Sequence, residues 1–210
     1  MIKVYFTKHG NAGRPDADVL TLPACSEDIT AFLARADADD ISYKSLIPGL
    51  CECFGKHENI GELNYLSALL KDVPNWLDET LSAAIQFGVH TGSIKDLINL
   101  VQNLDYYYLY DDATSEEELG YFHGIELGWL DIDEEDIPDF DFEEYGQDLH
   151  EEMCGEFVDG GYIVCGEFVD GGYIVSDDNF IEHYSGPDDL PDKYKSSAFS
   201  GKRRDACLTA

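Results

Sequence analysis

The chain has 210 residues, with 44 Asp plus Glu against 13 Lys plus Arg and a formal net charge of -31. That excess excludes nonspecific binding to DNA or to an anionic membrane, both of which repel such a chain, and it directs attention to basic partners. At 44% hydrophobic and 12% aromatic residues, the chain can bury a core and does not have the composition of a disordered acidic tail.

No apolar run approaches the ~18 residues needed to span a bilayer, and Met1 to Gly10 has no signal-peptide core. The expectation is a soluble, cytoplasmic protein. Cysteines stand at 25, 51, 53, 154, 165 and 207, with no Cys-x-x-Cys pair and no histidine at zinc-finger spacing. They are read as reduced thiols, and no metal or cofactor is expected.

The elements follow in chain order. Ile2 to Thr7 alternates as a strand, a turn holds Gly10, Gly13 and Pro15, and Val19 to Leu22 forms a second strand. Ser26 is positioned as an N-cap, with Glu27 and Asp28 in the first turn and Ile29, Phe32, Leu33 and Ala36 at helical spacing. From Asn59 the period becomes helical throughout. Asn59 with Glu62 starts one helix (Leu63, Leu66, Leu69, Leu70), Pro74 opens a second that Gly88 closes, and Ser93 with Asp96 caps a third. Tyr106 to Tyr110 is a strand. Ser115 with Glu118 is a capping box for a helix running through Leu119, Phe122, Ile125 and Trp129. Gly120, Gly124 and Gly128 each weaken that helix by up to ~1 kcal/mol relative to alanine, and their four-residue spacing makes a stripe open to close approach by another element. Cys154 to Val164 and Cys165 to Val175 are identical, each a strand-like arm with Asp-Gly-Gly as a turn, and read as a duplication tolerated at a sheet edge or as a longer loop.

This pattern predicts an α+β protein built as an elongated chain of three small domains. They are an α+β unit over 1–58, a helical unit over 59–104 and an acidic α+β unit with the tandem repeat over 105–184. Residues 185–210, polar and ending in Lys202-Arg203-Arg204, are expected to be a disordered tail.

The charge is not spread along these units. Residues 96 to 192 hold 30 acids and no lysine or arginine, whereas residues 1 to 95 are close to balanced, with 13 acids and 8 bases. A folded block of this kind suffers self-repulsion that ordinary surfaces relieve with interspersed lysines, so something other than stability favours it. B-DNA carries one charge per ~1.7 Å of axis, so 30 carboxylates laid out linearly would match roughly 50 Å of duplex. Acids four residues apart on a helix have Cβ atoms about 5 to 6 Å apart, similar to successive phosphates. The candidate partner-binding carboxylates are Asp111 and Asp112, then Glu116, Glu117, Glu118 and Glu126, then Asp131, Asp133, Glu134, Glu135, Asp136, Asp139, Asp141, Glu143 and Glu144, and finally Asp148. Between 131 and 144 the acids alternate with Ile132, Ile137, Phe140 and Phe142, which are expected to hold the segment down.

Three stretches carry a family resemblance. Glu58-Asn59-Ile60-Gly61-Glu62-Leu63-Asn64, then Ser115 to Trp129 with Glu126-Leu127-Gly128, then Phe140 to Leu149 with Tyr145-Gly146-Gln147-Asp148-Leu149, resemble the ArdA antirestriction proteins of conjugative plasmids, transposons and phages. The resemblance implies a curved, homodimeric mimic of DNA that occupies the DNA groove of type I restriction-modification enzymes in a bacterial host. It also assigns the segment from Leu119 to Leu130 to the family's antirestriction motif and its dimer contact, with Leu119, Tyr121, Phe122, Ile125, Leu127 and Trp129 as the contact residues. Gly120, Gly124, the repeat and the chain after Val175 depart from the family pattern.

Other readings fit less well. Asp131-x-Asp133-x-Glu135 begins like a calcium loop, yet Asp136 stands where its glycine belongs and Phe142 where its bidentate glutamate belongs. Histidines 9, 57, 90, 123, 150 and 183 are dispersed and join no catalytic motif, so no enzyme is expected. A generic acidic inhibitor or chaperone of another basic, DNA-binding protein is the serious alternative, because charge alone does not name a partner.

Overall fold

The computed structural model describes residues 1–7, 17–35, 41–55, 58–169, 172–174 and 180–195. The first turn (Gly10, Gly13, Pro15), Ala36, the second repeat's turn at 170–171 and the basic end at 202–204 lie outside the described residues. The fold is mixed α+β, as the sequence predicts.

Strands β1 (Ile2–Thr7), β2 (Ala17–Leu22) and β3 (Ile41–Ser45) form an antiparallel sheet in the order β2-β1-β3. Ile2, Val4 and Leu22 are fully buried, facing helix α1 (Ser26–Leu33) through its buried Ile29 and Phe32. Cys25 rather than Ser26 occupies the cap position of α1, and no side chain caps it.

Helices α2 (Ile60–Asp72), α3 (Asp78–Phe87) and α4 (Ile94–Gln102) follow. The Asn59 side chain accepts from the Gly61 and Glu62 amides at 2.8 and 3.4 Å, and Gly88 ends α3 at φ 81°. Ser93 and Asp96 form the expected cap: the Asp96 amide donates to Ser93 Oγ at 3.1 Å, and that hydroxyl donates to the Asp96 carboxylate at 2.7 Å.

The Asn-Ile-Gly-Glu-Leu-Asn stretch proves to be a joint. Glu62 does not return to the Asn59 amide to complete a capping box. Its Oε1 accepts a hydrogen bond from the Tyr184 hydroxyl at 2.8 Å. Asn64 holds both backbone groups of Ala24, accepting from its N–H at 2.8 Å and donating to its C=O at 3.0 Å. Two remote segments are thus fastened to one helix.

The described part of the expected tail, residues 185–195, continues from Phe180 as one ordered segment. It runs as a strap over α4, where Asn99 accepts from the Tyr184 N–H and donates to its C=O, each at 2.8 Å. One turn later Asn103 does the same for Ile181, at 3.1 and 2.9 Å. Tyr184, Leu190 and Tyr194 are buried beneath it, and Phe180 stacks on His90 at 3.7 Å. A polar, proline-containing stretch is ordered because the backbone groups of Ile181 and Tyr184 meet side-chain amides, while three large side chains bury apolar surface.

The N-terminal sheet, the helices α2 to α4 and the strap share one hydrophobic cluster, which runs without interruption across position 58 and takes in Tyr107, Ile163 and Cys165. A second, smaller cluster of Tyr110, Ala113, Leu119, Leu149, Met153, Tyr162 and Val164 lies under the acidic part.

Strand β4 (Tyr107–Tyr110) pairs with β6 (Gly161–Cys165), which pairs with β5 (Glu156–Val158) in the order β4-β6-β5. The first repeat copy supplies the β5-β6 hairpin. The second copy repeats its register, with β7 (Glu167–Val169) against β8 (Gly172–Ile174), as Glu167 faces Ile174 where Glu156 faces Ile163. The β7-β8 pair stands apart from that sheet, because β6 already has β4 on its other side.

Candidate functional site

The acidic stretch is carried by α5 (Glu116–Tyr121), a π-helical turn over Phe122–Glu126, a loop, and α6 (Phe142–Met153). Sequence spacing predicts one helix from 116 to 129. Instead the helix widens at Phe122, and the chain turns at Gly128 with φ 70°. The Leu127 amide bonds to the Phe122 carbonyl at 2.9 Å, and the Trp129 and Leu130 amides return to the carbonyls of His123 and Gly124 at 3.1 Å each. This brings Trp129 back over His123 with ring centroids 4.5 Å apart.

Both helices are capped by polar side chains. The Ser115 hydroxyl accepts from the Glu118 amide at 3.3 Å, and the Asp141 carboxylate accepts from the Glu144 amide at 3.0 Å. Helix α6, like strand β3, is an element that the sequence reading missed. Asp141 and Glu144 at cap spacing, followed by buried Phe142, Leu149 and Met153, were the available signal. Acids in the first turns (Glu116, Glu117 and Glu118 on α5, Glu143 and Glu144 on α6) lie where the helix N-terminus is positive, which favours them. Glu118 also accepts from the Thr114 hydroxyl and amide, which hold its carboxyl below the usual range.

The two helices meet through glycine. A Cβ on Gly146 would lie 1.8 Å from the Glu116 carbonyl oxygen, and one on Gly120 would lie 2.1 Å from that of Phe142. The glycine stripe thus serves the close approach expected of it at Gly120, with Gly146 as the partner that sequence reasoning did not identify. Gly124 faces Leu130 and Phe142, whereas Gly128 borders open space and serves the turn.

Of the sixteen candidate carboxylates, Glu116 is half-buried and all the others are exposed. Ile132, Ile137 and Phe140 are half-buried and Phe142 is buried, so the apolar residues of the acidic stretch face inward as expected. The ion pairs among the described residues, Arg35 with Asp18, Lys95 with Glu182 and Lys195 with Asp192, include none of the sixteen. A cavity of about 310 Å³ opens between α5 and α6, where Asp112, Glu117, Glu118 and Glu126 stand around the rings of Tyr121, Phe122 and Phe142.

The candidate dimer residues divide. Leu119 is fully buried in the protomer's own second core. Tyr121 and Leu127 are each 43% exposed, and Phe122, Ile125 and Trp129 are half-buried. His123 is fully buried among the rings of Tyr110, Phe122 and Trp129, with no hydrogen-bond partner on either ring nitrogen among the described residues. Burial lowers its pKa to about 4, so it is neutral and belongs to the core. Among the described residues, no helix is long and apolar enough to cross a membrane.

A search of curated proteins gives no match. The family model described as antirestriction protein (ArdA) matches residues 8–164, which include the joint at 59–64, the capped α5 and its π-helical turn, and the α6 glycine. The match spans most of the chain, and the chain belongs to the ArdA antirestriction protein family.

Proposed function

We propose that the chain is an antirestriction protein that imitates B-DNA and occupies the DNA-binding groove of type I restriction-modification enzymes. The observation that carries this reading is the cation-free stretch from 96 to 192, whose candidate carboxylates are almost all exposed and free of ion pairs among the described residues. Lysines and arginines that line a DNA groove release counterions when they meet phosphates, and carboxylates fixed on capped helices compete on the same term. Fixed placement avoids the ordering cost of a flexible polyanion. The ring-floored cavity between α5 and α6 offers a basic side chain both a carboxylate rim and a π face.

Inhibition on this reading is stoichiometric and needs neither catalysis nor cofactor. The active unit is a homodimer, with Tyr121 and Leu127 as the exposed apolar part of its contact. Repulsion between two acidic protomers makes the dimer dissociate at low salt. The alternative is a general acidic inhibitor of other basic, DNA-binding proteins.

Competition for a type I methyltransferase core bound to DNA tests the reading. Displacement by one dimer per groove is expected at low salt, at protein concentrations where sedimentation shows the dimer intact, and it weakens steeply as salt rises. Neutralising single acids between 131 and 144 weakens displacement by about threefold or less, and cumulatively. Failure to displace DNA rules out the type I target, and abolition by one substitution replaces the array with a discrete site.

A further inference from the structure

We propose that the outward face of the β2-β1-β3 sheet is a basic contact surface that docks on an acidic patch bordering the partner's basic groove. The proposal rests on the groove-occupying reading above and adds a second contact of opposite sign.

Strand alternation defines the face. Ile2 and Val4 point into the core, so Lys3 and Tyr5 point out. The register sets Thr21 and Lys44 on either side of Lys3, and Val19 and Ser42 on either side of Tyr5. None of these six residues is a carboxylate, in a chain where acids outnumber bases 44 to 13. Lys3 and Lys44 are directly opposite each other across the strands, an arrangement of like charges that destabilises a sheet. No ion pair relieves either lysine among the described residues, and the Lys44 ammonium lies 5.2 Å from the centre of the Tyr5 ring.

Exposed apolar groups lie beside the charges. Met1 is 57%, Val19 46% and Leu46 90% exposed. Met1 and Leu46 flank a hollow of about 220 Å³ that Lys3, Tyr5, Lys44 and Ser45 also line. Two cations with apolar side chains at their margin complement carboxylates on a protein surface. Phosphates of nucleic acid are a poor occupant, because the exposed Met1, Val19 and Leu46 beside the lysines find no apolar surface on a sugar-phosphate backbone, whereas a protein surface supplies it. At physiological salt the Debye length is about 8 Å, so this face and the acidic block each respond to the charges directly opposite them.

The test depends on a sign. Lys3→Glu with Lys44→Glu makes the chain more acidic, so pure charge mimicry predicts unchanged or tighter binding to the methyltransferase core. The basic contact predicts binding about tenfold weaker. Lys3→Gln with Lys44→Gln, which removes the like-charge opposition and so does not burden folding, is expected to weaken binding severalfold, and thermal melting verifies both folds. Lys71→Glu, an exposed lysine on α2 away from the face, serves as the control and leaves binding unchanged or tighter. Double variants that bind as tightly as wild type overturn the proposal. So does a loss confined to self-association, measured by sedimentation, or to oligonucleotide retention, since either assigns the face to another occupant. A wild-type chain that fails to bind the enzyme at all removes the groove-occupying reading instead, and this contact with it.

Discussion

The two hydrophobic clusters support very different surfaces. The larger joins the N-terminal sheet, α2 to α4 and the strap, and both cations and acids stand around it. The smaller has seven buried residues, yet α5, α6 and their connecting loop above it carry acids with no lysine or arginine. A small core under a self-repelling surface cannot draw on ion pairs. It relies on helix caps, on the Gly120–Gly146 crossing, and on rings packed edge to face, such as Tyr110 against His123 at 5.0 Å. Concentrating charge of one sign therefore shifts the burden of stability onto close local packing, where single atoms matter. The larger region spreads its stability over many contacts and adds a strap held by two asparagines.

Gly146→Ala tests the dependence on local packing with the largest expected effect. In an open helix the change gains up to ~1 kcal/mol. Here the new Cβ would lie 1.8 Å from a backbone oxygen, and moving α5 away costs about 3 kcal/mol or more. Urea unfolding followed by circular dichroism should show a clear loss, and a wild-type midpoint would remove the backbone contact from the account.

In the other region, Asn99→Ala leaves the buried N–H and C=O of Tyr184 unpaired, at a cost of about 2 kcal/mol. The loss should be local. Hydrogen exchange at Ile181 and Tyr184 is expected to accelerate while the amides of α5 and α6 keep their protection, and equal acceleration in both regions would mean that the two cores unfold as one unit.

His123→Phe has the smallest effect at neutral pH, about 1 kcal/mol or less. Its signature is the pH dependence. The folded pKa of about 4 is below the ordinary 6.5, so the neutral ring's contribution is complete above pH 6.5 and is lost as pH falls through about 4. Acid unfolding, followed by the fluorescence of Trp129, should begin at lower pH in the phenylalanine variant. An unchanged acid limb would mean that the surrounding carboxylates, and not this ring, set the acid stability of the acidic region.

Much of this fold was legible in the sequence. Ile2 to Thr7 and Tyr106 to Tyr110 read as strands from their composition, the second beginning one residue later at Tyr107, and the caps at Asn59, Ser93 and Ser115 from residues three apart. The order of the strap was not legible, because its anchors Asn99 and Asn103 lie some eighty positions from the backbone groups they hold. Nor was the break at Phe122, where helical spacing continues in the sequence but Trp129 folds back over His123.

By itself, the sequence determined the segregation of charge and the local starts and stops of helices, since both depend on residues near one another along the chain. Only the tertiary structure decided that Gly120 meets Gly146, that Glu62 answers Tyr184, and that Lys3 stands opposite Lys44 on a face without acids. The reason is physical: a contact between segments is selected by which buried surfaces and backbone groups can be satisfied together, and neither residue of a pair states that condition alone.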